Sequence, residues 1–177
     1  MKKAALHNLG CKVNAYETEA MQHLLEEAGY EIVPFTQKAD VYVINTCSVT
    51  NMADRKSRQM LHKAKKNNPD SIVVAAGCYV QTSEKEVLND LSVDIVIGND
   101  RKHDLVRLLE EYSLDSVNDT VDDINDGKHD FEELFIDQTK EHTRAFIKVQ
   151  DGCNQFCSYC IIPFARGAER SLPEDEV

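Results

Sequence analysis

The sequence predicts an α/β fold, in which a mostly parallel sheet is flanked by helices and a shorter second unit follows. Over residues 1–113, short apolar runs alternate with amphipathic helical patterns. Parallel strands need a crossover connection, usually a helix, so this alternation is typical of a parallel sheet with helices on its faces. After residue 113 the periodicity fades and the composition changes, which indicates the end of this domain.

The strands are predicted from apolar runs of four to six residues, which are too short for helices and are bounded by polar or turn-forming residues. Four of them read as buried strands, and one shorter run lies between the first two helical patterns. The predicted strands are Ala4–Leu9, Tyr30–Val33, Val41–Thr46, Ile72–Gly77 and Asp94–Gly98.

The helices are predicted from apolar residues that recur every three or four positions. The first, Ala15–Ala28, has Asn14 as its predicted N-cap and ends at Gly29. Glycine is common directly after a helix because it adopts positive φ angles without strain. The remaining predicted helices are Met52–Asn67, which Pro69 ends, a short helix that begins near Thr82 or Ser83, and Lys102–Tyr112.

A strongly acidic segment separates the two predicted units. Between Glu110 and Glu141 there are twelve acidic and two basic residues, whereas the whole chain has a formal net charge of -11. We therefore predict a domain over residues 1–113, an acidic linker over 114–140 and a second unit over 141–177. The linker is predicted to contain a strand or hairpin at Glu133–Asp137, and the second unit is predicted to begin with a strand at Arg144–Gln150.

The apolar pattern gives no indication of a membrane or of secretion. The longest apolar run, Ile72 to Val80, has nine residues, which is too short to cross a bilayer. His7 and Asn8 come before any apolar stretch of a signal peptide can form. We therefore expect a cytoplasmic protein without a membrane partner, in which six cysteines stay reduced and bind metal or take part in chemistry.

Three of the cysteines lie close together in the second unit. Cys153, Cys157 and Cys160 have the spacing C-x-x-x-C-x-x-C in a loop that follows the predicted strand. Iron–sulfur clusters are held by cysteine thiolates, normally four. Three thiolates leave one iron without a protein ligand, and an open position is typical of catalytic metal centres. The spacing therefore favours a 4Fe-4S cluster with one iron open to a further ligand, a position that S-adenosylmethionine can fill.

Two other interpretations of this loop are open at the level of sequence. A structural zinc site would need a fourth ligand, for which His129 or His142 is available. A thioredoxin-like pair formed by Cys157 and Cys160 would leave Cys153 without a role.

The other three cysteines are far apart in sequence but equivalent in position. Cys11, Cys47 and Cys78 each follow a predicted strand. The carboxyl ends of parallel strands lie at one edge of a sheet, where ligands bind in open α/β folds, so the three thiols are expected to converge. The alternative is that they are ordinary core cysteines, since free cysteine is often buried as a small apolar residue.

Both cysteine groups resemble those of one enzyme family. The loop from Asp151 to Cys160 resembles that of the radical S-adenosylmethionine superfamily, which implies an adenine contact for Tyr159. The stretches Asn8–Asn14, Val43–Thr50 and Ala76–Tyr79 resemble the N-terminal domain of the methylthiotransferases. Leu-Gly-Cys-Lys-Val-Asn around Cys11 looks most like the branch that acts on threonylcarbamoyladenosine beside the tRNA anticodon.

The resemblance implies a fold, a reaction and its cofactors. It implies a methylthiotransferase N-terminal domain followed by the first strand and cluster loop of an incomplete radical S-adenosylmethionine (β/α) barrel. It also implies two 4Fe-4S clusters, on Cys11, Cys47 and Cys78 and on Cys153, Cys157 and Cys160, together with S-adenosylmethionine. The implied reaction adds a methylthio group to the adenine ring of the tRNA nucleoside, and tRNA is the implied partner; the sequence does not indicate the electron donor.

The chain also departs from the family. Relatives tend to have basic residues where this chain has Ala168 and Leu172. Because the family continues through a whole barrel, we expect the 177-residue chain to be inactive by itself. Two alternative functions are kept: a methylthiotransferase that acts on a ribosomal protein, and a non-catalytic iron–sulfur or zinc-binding module.

Overall fold

The computed structural model describes residues 1–112, 119–127, 129–132, 134, 136 and 146–177. In this part of the chain the main sheet has six parallel strands in the order β2-β1-β3-β4-β5-β6. The strands are β1 (Lys3–Asn8), β2 (Glu31–Ile32), β3 (Val41–Thr46), β4 (Ile72–Gly77), β5 (Ile95–Ile97) and β6 (Asp119–Thr120). The predicted α/β fold with a mostly parallel sheet is thereby confirmed.

Helices cover both faces of this sheet. They are α1 (Lys12–Glu27), α2 (Asn51–Asn67), α3 (Cys78–Thr82), α4 (Glu84–Leu88) and α5 (Leu105–Tyr112), and a turn of 3-10 helix at Lys102–Asp104 precedes α5. Successive residues of β3 point to opposite faces, as the pleat requires. Val43 packs with Met21 of α1 and Leu105 of α5, whereas Ile44 packs with Leu61 of α2. The central strands are thus buried on both faces, which explains their continuous apolar runs.

The helix α1 begins earlier than predicted. It starts at Lys12 rather than Ala15, and the N-cap position is occupied by Cys11, whose side chain makes no capping hydrogen bond. Asn14, the predicted cap, is buried, and its amide donates to the carbonyl oxygens of Leu9 and Thr46 at 3.0 and 2.9 Å. Its hydrogen bonds therefore tie the ends of β1 and β3 together, a tertiary role that a local capping pattern does not reveal.

The other predicted helices agree with the structure except at one place. The capping hydrogen bond of α2 is made by Thr50, whose side chain accepts from the Ala53 amide. The short helix predicted near Thr82 is present as α4, but α3 directly after β4 was missed. Within the described residues, no helix is long and apolar enough to cross a membrane.

The second unit contains the short strands β7 (Gln150–Asp151) and β8 (Arg170–Ser171), which pair in antiparallel fashion, and the helix α6 (Ile162–Arg166) between them. A last 3-10 turn follows at Glu174–Glu176. The strand predicted at Arg144–Gln150 was largely wrong, because Gln150 is the only one of its described residues that belongs to a strand; residues 144 and 145 lie outside the described part. The hairpin predicted at Glu133–Asp137 falls mostly on residues that are not described, and the domain boundaries remain predictions.

Candidate metal centres

The structure brings the first cysteine triplet to one edge of the sheet. Asn8 lies beside Asn45 in the register of β1 and β3, and Thr46 lies beside Gly77 in that of β3 and β4. The chain therefore leaves three neighbouring strands at Cys11, Cys47 and Cys78. The order of strands reverses between β1 and β3, and the crevice at such a reversal is where open α/β sheets bind ligands.

Two glycines allow the backbone to come close at this edge. Gly10 has a φ of 117°, and a Cβ there would lie 2.9 Å from the Cβ and Sγ atoms of Cys47. Gly77 has a φ of 97°, and a Cβ there would lie 2.6 Å from the carbonyl oxygen of Thr46 and closer still to the side chain of Asn45. Both backbone conformations are strained for residues with a side chain. Glycine at positions 10 and 77 therefore allows the chain to place Cys11 and Cys78 where they lie.

We expect Gly77→Ala to lower the free energy of unfolding by about 2–4 kcal/mol, since it adds both backbone strain and a steric clash. Gly29→Ala is the matched control, because Gly29 also has a positive φ of 84° but nothing lies within 4 Å of an added Cβ. That control is expected to cost only about 1–2 kcal/mol. Urea unfolding followed by circular dichroism measures both, and equal losses in the two variants would contradict the proposed crowding at Gly77.

The three thiols of this triplet have different surroundings. Cys47 and Cys78 are buried, whereas Cys11 is exposed. Ser57 holds the backbone of Cys47 by accepting from its amide at 3.3 Å and donating to its carbonyl at 3.1 Å. Burial raises the pKa of the Cys78 thiol, and the nearby cations Arg166 and Lys102 partly offset this effect. Binding of a metal would displace the proton from this thiol, since thiolate is the form that binds metal.

The second triplet lies on a more open loop. Cys153 and Cys160 are half-buried and Cys157 is exposed. The Cys160 amide donates to the Cys157 carbonyl at 2.9 Å, and the Cys153 amide donates to Gly167 at 3.1 Å, so the loop is closed against the chain that follows α6. Tyr159, predicted to contact adenine, has 90% of its surface exposed. Its ring is therefore accessible to a ligand.

Neither cysteine triplet, whose residues are all described, is drawn together around one point. Among the described residues, no three His, Cys, Asp or Glu side chains converge closely enough to hold one metal ion. The body of an iron–sulfur cluster spans several atoms, so its cysteines need not converge on one point. His129, considered as a zinc ligand, is engaged elsewhere: its Nδ1 lies 2.8 Å from Asp100 Oδ2, and its Nε2 contacts the carbonyls of Asp123 and Asp126. His142 lies outside the described residues.

A buried ionic cluster joins the elements that carry the two triplets. Its central pair is Arg166 of α6 and Glu17 of α1, whose side chains form two hydrogen bonds of 2.8 and 3.1 Å. Arg166 also contacts both carboxylate oxygens of Asp151 at 2.9 Å. We use the name buried ionic cluster for Glu17, Lys102, Lys148, Asp151 and Arg166, all of which are less than a tenth exposed.

The charges in this cluster are mutually satisfied. Lys148 lies 3.0 Å from Glu17 and 2.8 Å from Asp151, and Lys102 lies 3.2 Å from Glu17. Burial by itself would raise the pKa of the Glu17 carboxyl, but Arg166, Lys102 and Lys148 bring the pKa well below its ordinary value. Cations therefore outnumber carboxylates in the buried ionic cluster beside the cysteine sites.

Sequence reasoning missed this cluster, although one signal for it exists. Asn14 and Glu17 lie on the same helical stripe as Met21 and Leu25, and all four are buried. A charged residue in register with an apolar stripe requires a buried partner, because an unpaired buried charge is very costly. The partners themselves lie on distant segments, so their identity was not accessible from the local pattern.

Comparison with known proteins gives consistent matches. Residues 3–98 match the family described as "Uncharacterized protein family UPF0004". The chain is 46% identical over 179 residues to "Threonylcarbamoyladenosine tRNA methylthiotransferase MtaB" of Bacillus subtilis, covering 100% of this chain and 39% of that protein. It is 42% identical over 177 residues to the protein of the same name from Aquifex aeolicus, covering 99% of this chain and 43% of that protein.

A differently named relative is also similar. The chain is 35% identical over 175 residues to "tRNA-2-methylthio-N(6)-dimethylallyladenosine synthase" of Staphylococcus haemolyticus, which covers 94% of this chain and 33% of that protein. The chain thus spans well under half the length of each of these three relatives.

Proposed function

The chain belongs to the family described as "Uncharacterized protein family UPF0004", and from that premise we propose that it takes part in adding a methylthio group to threonylcarbamoyladenosine in tRNA. The observation that carries this proposal is the position of Cys11, Cys47 and Cys78 after three neighbouring strands at one sheet edge, with a second cysteine triplet on another loop. The names of the relatives favour tRNA over a ribosomal protein as the substrate. We place the reaction in the cytoplasm, where the substrate tRNA resides.

We propose that the six thiols hold two 4Fe-4S clusters. Such a cluster, when bound at Cys153, Cys157 and Cys160, supplies the electron that cleaves S-adenosylmethionine. The chain contributes three thiolates to each site, which leaves a position for a ligand that the protein does not provide. Gly10 and Gly77 give the first site its close backbone approach, and the exposed ring of Tyr159 is available to the adenine of S-adenosylmethionine.

The proposal is tested with a hybrid of the Bacillus subtilis relative in which this chain replaces the matched segment. The hybrid is produced in a strain that lacks the relative. Mass spectrometry of digested tRNA is expected to show that methylthiolated threonylcarbamoyladenosine returns. The same exchange with Cys47→Ala is expected to leave that nucleoside below detection, because the first site loses a thiolate. The 177-residue chain alone is expected to give none.

Val49→Ala is the matched control for damage close to Cys47, since the Val49 side chain is 59% exposed. That variant is expected to modify tRNA as the parent does. Full modification by the Cys47→Ala exchange would contradict a role for the first triplet. A methylthio group found on a ribosomal protein in place of tRNA would support the rival substrate, and iron binding without any modification would support a non-catalytic module.

A further inference from the structure

One buried side chain outside the two triplets touches the elements that carry both of them. Asn99 follows β5 and is completely buried. Its Nδ2 atom lies 3.7 Å from Cys78 Sγ and donates to the carbonyl oxygen of Ala165 at 2.5 Å. Its Oδ1 atom accepts from Lys102 Nζ at 2.8 Å. The Asn99 side chain therefore links a cysteine of the first triplet, the helix α6 and the buried ionic cluster.

The position of Ala165 makes this link relevant to the second triplet. Ala165 lies in α6, five residues after Cys160, and the next residue is Arg166 of the buried ionic cluster. The hydrogen bond from Asn99 therefore attaches α6 to the first cysteine site. Since Cys153 is held to Gly167 at the end of α6, the attachment extends to both ends of the cysteine loop.

The contact with Cys78 has a second consequence. Hydrogen bonds to ligating sulfurs are one of the factors that set the reduction potential of an iron–sulfur cluster. A donor beside a thiolate stabilises the more negative, reduced state, and groups that surround the ligands in this way commonly tune metal sites. The amide of Asn99 is such a donor, and Lys102 fixes its orientation through Oδ1.

We propose that Asn99 is a positioning residue that fastens the Cys153–Cys160 loop to the first cysteine site and donates a hydrogen bond to the Cys78 sulfur there. The second half of this inference rests on the proposed function, because it requires a cluster on the first triplet. The fastening of the Cys153–Cys160 loop concerns only the packing of the chain and does not depend on iron.

The packing is tested on the iron-free 177-residue chain by hydrogen exchange and mass spectrometry. Asn99→Asp keeps the size of the side chain and an acceptor for Lys102 but loses both donated hydrogen bonds. Amide exchange in Ile162–Arg166 is expected to become about tenfold faster in this variant and in Asn99→Ala. Asn89→Ala is the control, since Asn89 is exposed and donates only to Lys85 of its own helix in the hydrogen bonds described.

The contact with sulfur is tested by a redox titration followed by electron paramagnetic resonance. Cys153, Cys157 and Cys160 are all replaced by alanine, so that only the first site is loaded. The potential is expected to shift downwards in Asn99→Ala and further in Asn99→Asp, which adds a negative charge. A role limited to packing would leave the potential of Asn99→Ala unchanged, as is expected of Asn89→Ala.

The outcomes separate this inference from the proposed function. If the parent chain takes up no iron and sulfide, the proposed function fails, while hydrogen exchange still decides whether Asn99 fastens α6. If the parent is loaded but a folded Asn99→Asp variant shows unchanged exchange and an unchanged potential, the inference is overturned. Asn99→Asp serves this purpose even if Asn99→Ala does not fold.

Discussion

Replacing Glu17 with alanine is expected to lower the free energy of unfolding by about 3–5 kcal/mol, because it leaves buried cations without their partner. Arg166, Lys148 and Lys102 all contact the Glu17 carboxylate, and its side chain has no exposed surface. Asp151 alone cannot satisfy these three cations. Urea unfolding of the 177-residue chain measures the loss.

Glu27→Ala is the control on the same helix, since Glu27 is exposed at the end of α1. It is expected to change the free energy of unfolding by less than about 0.5 kcal/mol. Glu17→Gln keeps the shape of the side chain and removes only its charge, so it separates lost packing from lost charge. A Glu17→Ala variant as stable as the control would show that the buried ionic cluster does not stabilise the fold.

The pH dependence provides an independent check of the same contribution. The pKa values of the Glu17 and Asp151 carboxyls lie below their ordinary values of 4.5 and 3.8, because the surrounding cations outweigh the effect of burial. As the pH falls, the unfolded chain therefore binds more protons than the folded chain does. The stabilisation that these carboxylates provide above pH 4.5 is lost as the pH drops towards their lowered pKa values. Glu17→Gln is expected to flatten this decline.

Replacing Cys11, Cys47 and Cys78 together with alanine is expected to halve the iron content of the reconstituted chain. Two 4Fe-4S clusters hold about eight iron atoms, and loss of the first site leaves about four. Under the proposed assignment each cluster depends on its own three thiolates, so the second site is expected to keep its iron. The measurement is iron and sulfide per chain after anaerobic reconstitution, with the absorbance of the cluster as a second readout.

The reciprocal variant, with alanine at Cys153, Cys157 and Cys160, is expected to retain about four iron atoms as well. A chain that keeps about eight iron atoms without the first triplet would exclude Cys11, Cys47 and Cys78 as ligands. Zinc in place of iron in the protein isolated without exposure to air would support the structural alternative.

The parts of the fold that the sequence predicted are those with a local signal. The buried runs of β1, β3 and β4 are continuous and short, and the structure places these strands within one residue of the prediction. Their parallel arrangement then brought Cys11, Cys47 and Cys78 to one edge, so the position of the first triplet followed from the order of elements alone.

The parts that the sequence missed depend on distant segments. The pairing of β7 with β8 joins Asp151 to Arg170, and neither strand has more than two residues. No periodicity can be read from so short a run. Likewise, Glu17 meets Arg166 across 149 positions of sequence, and the choice of partner depends on how the second unit packs on α1.

The start of α1 directly after Cys11 has an electrostatic consequence. The strands β1 and β3 each lead into a crossover helix, so the edge that carries the cysteines also carries the amino-terminal ends of α1 and α2. The peptide dipoles of a helix give this end a partial positive charge, which stabilises anions nearby. A cluster held by these three thiolates, as proposed, would be anionic, so the connectivity that gathers the cysteines would also provide a field that favours the charge of the cluster.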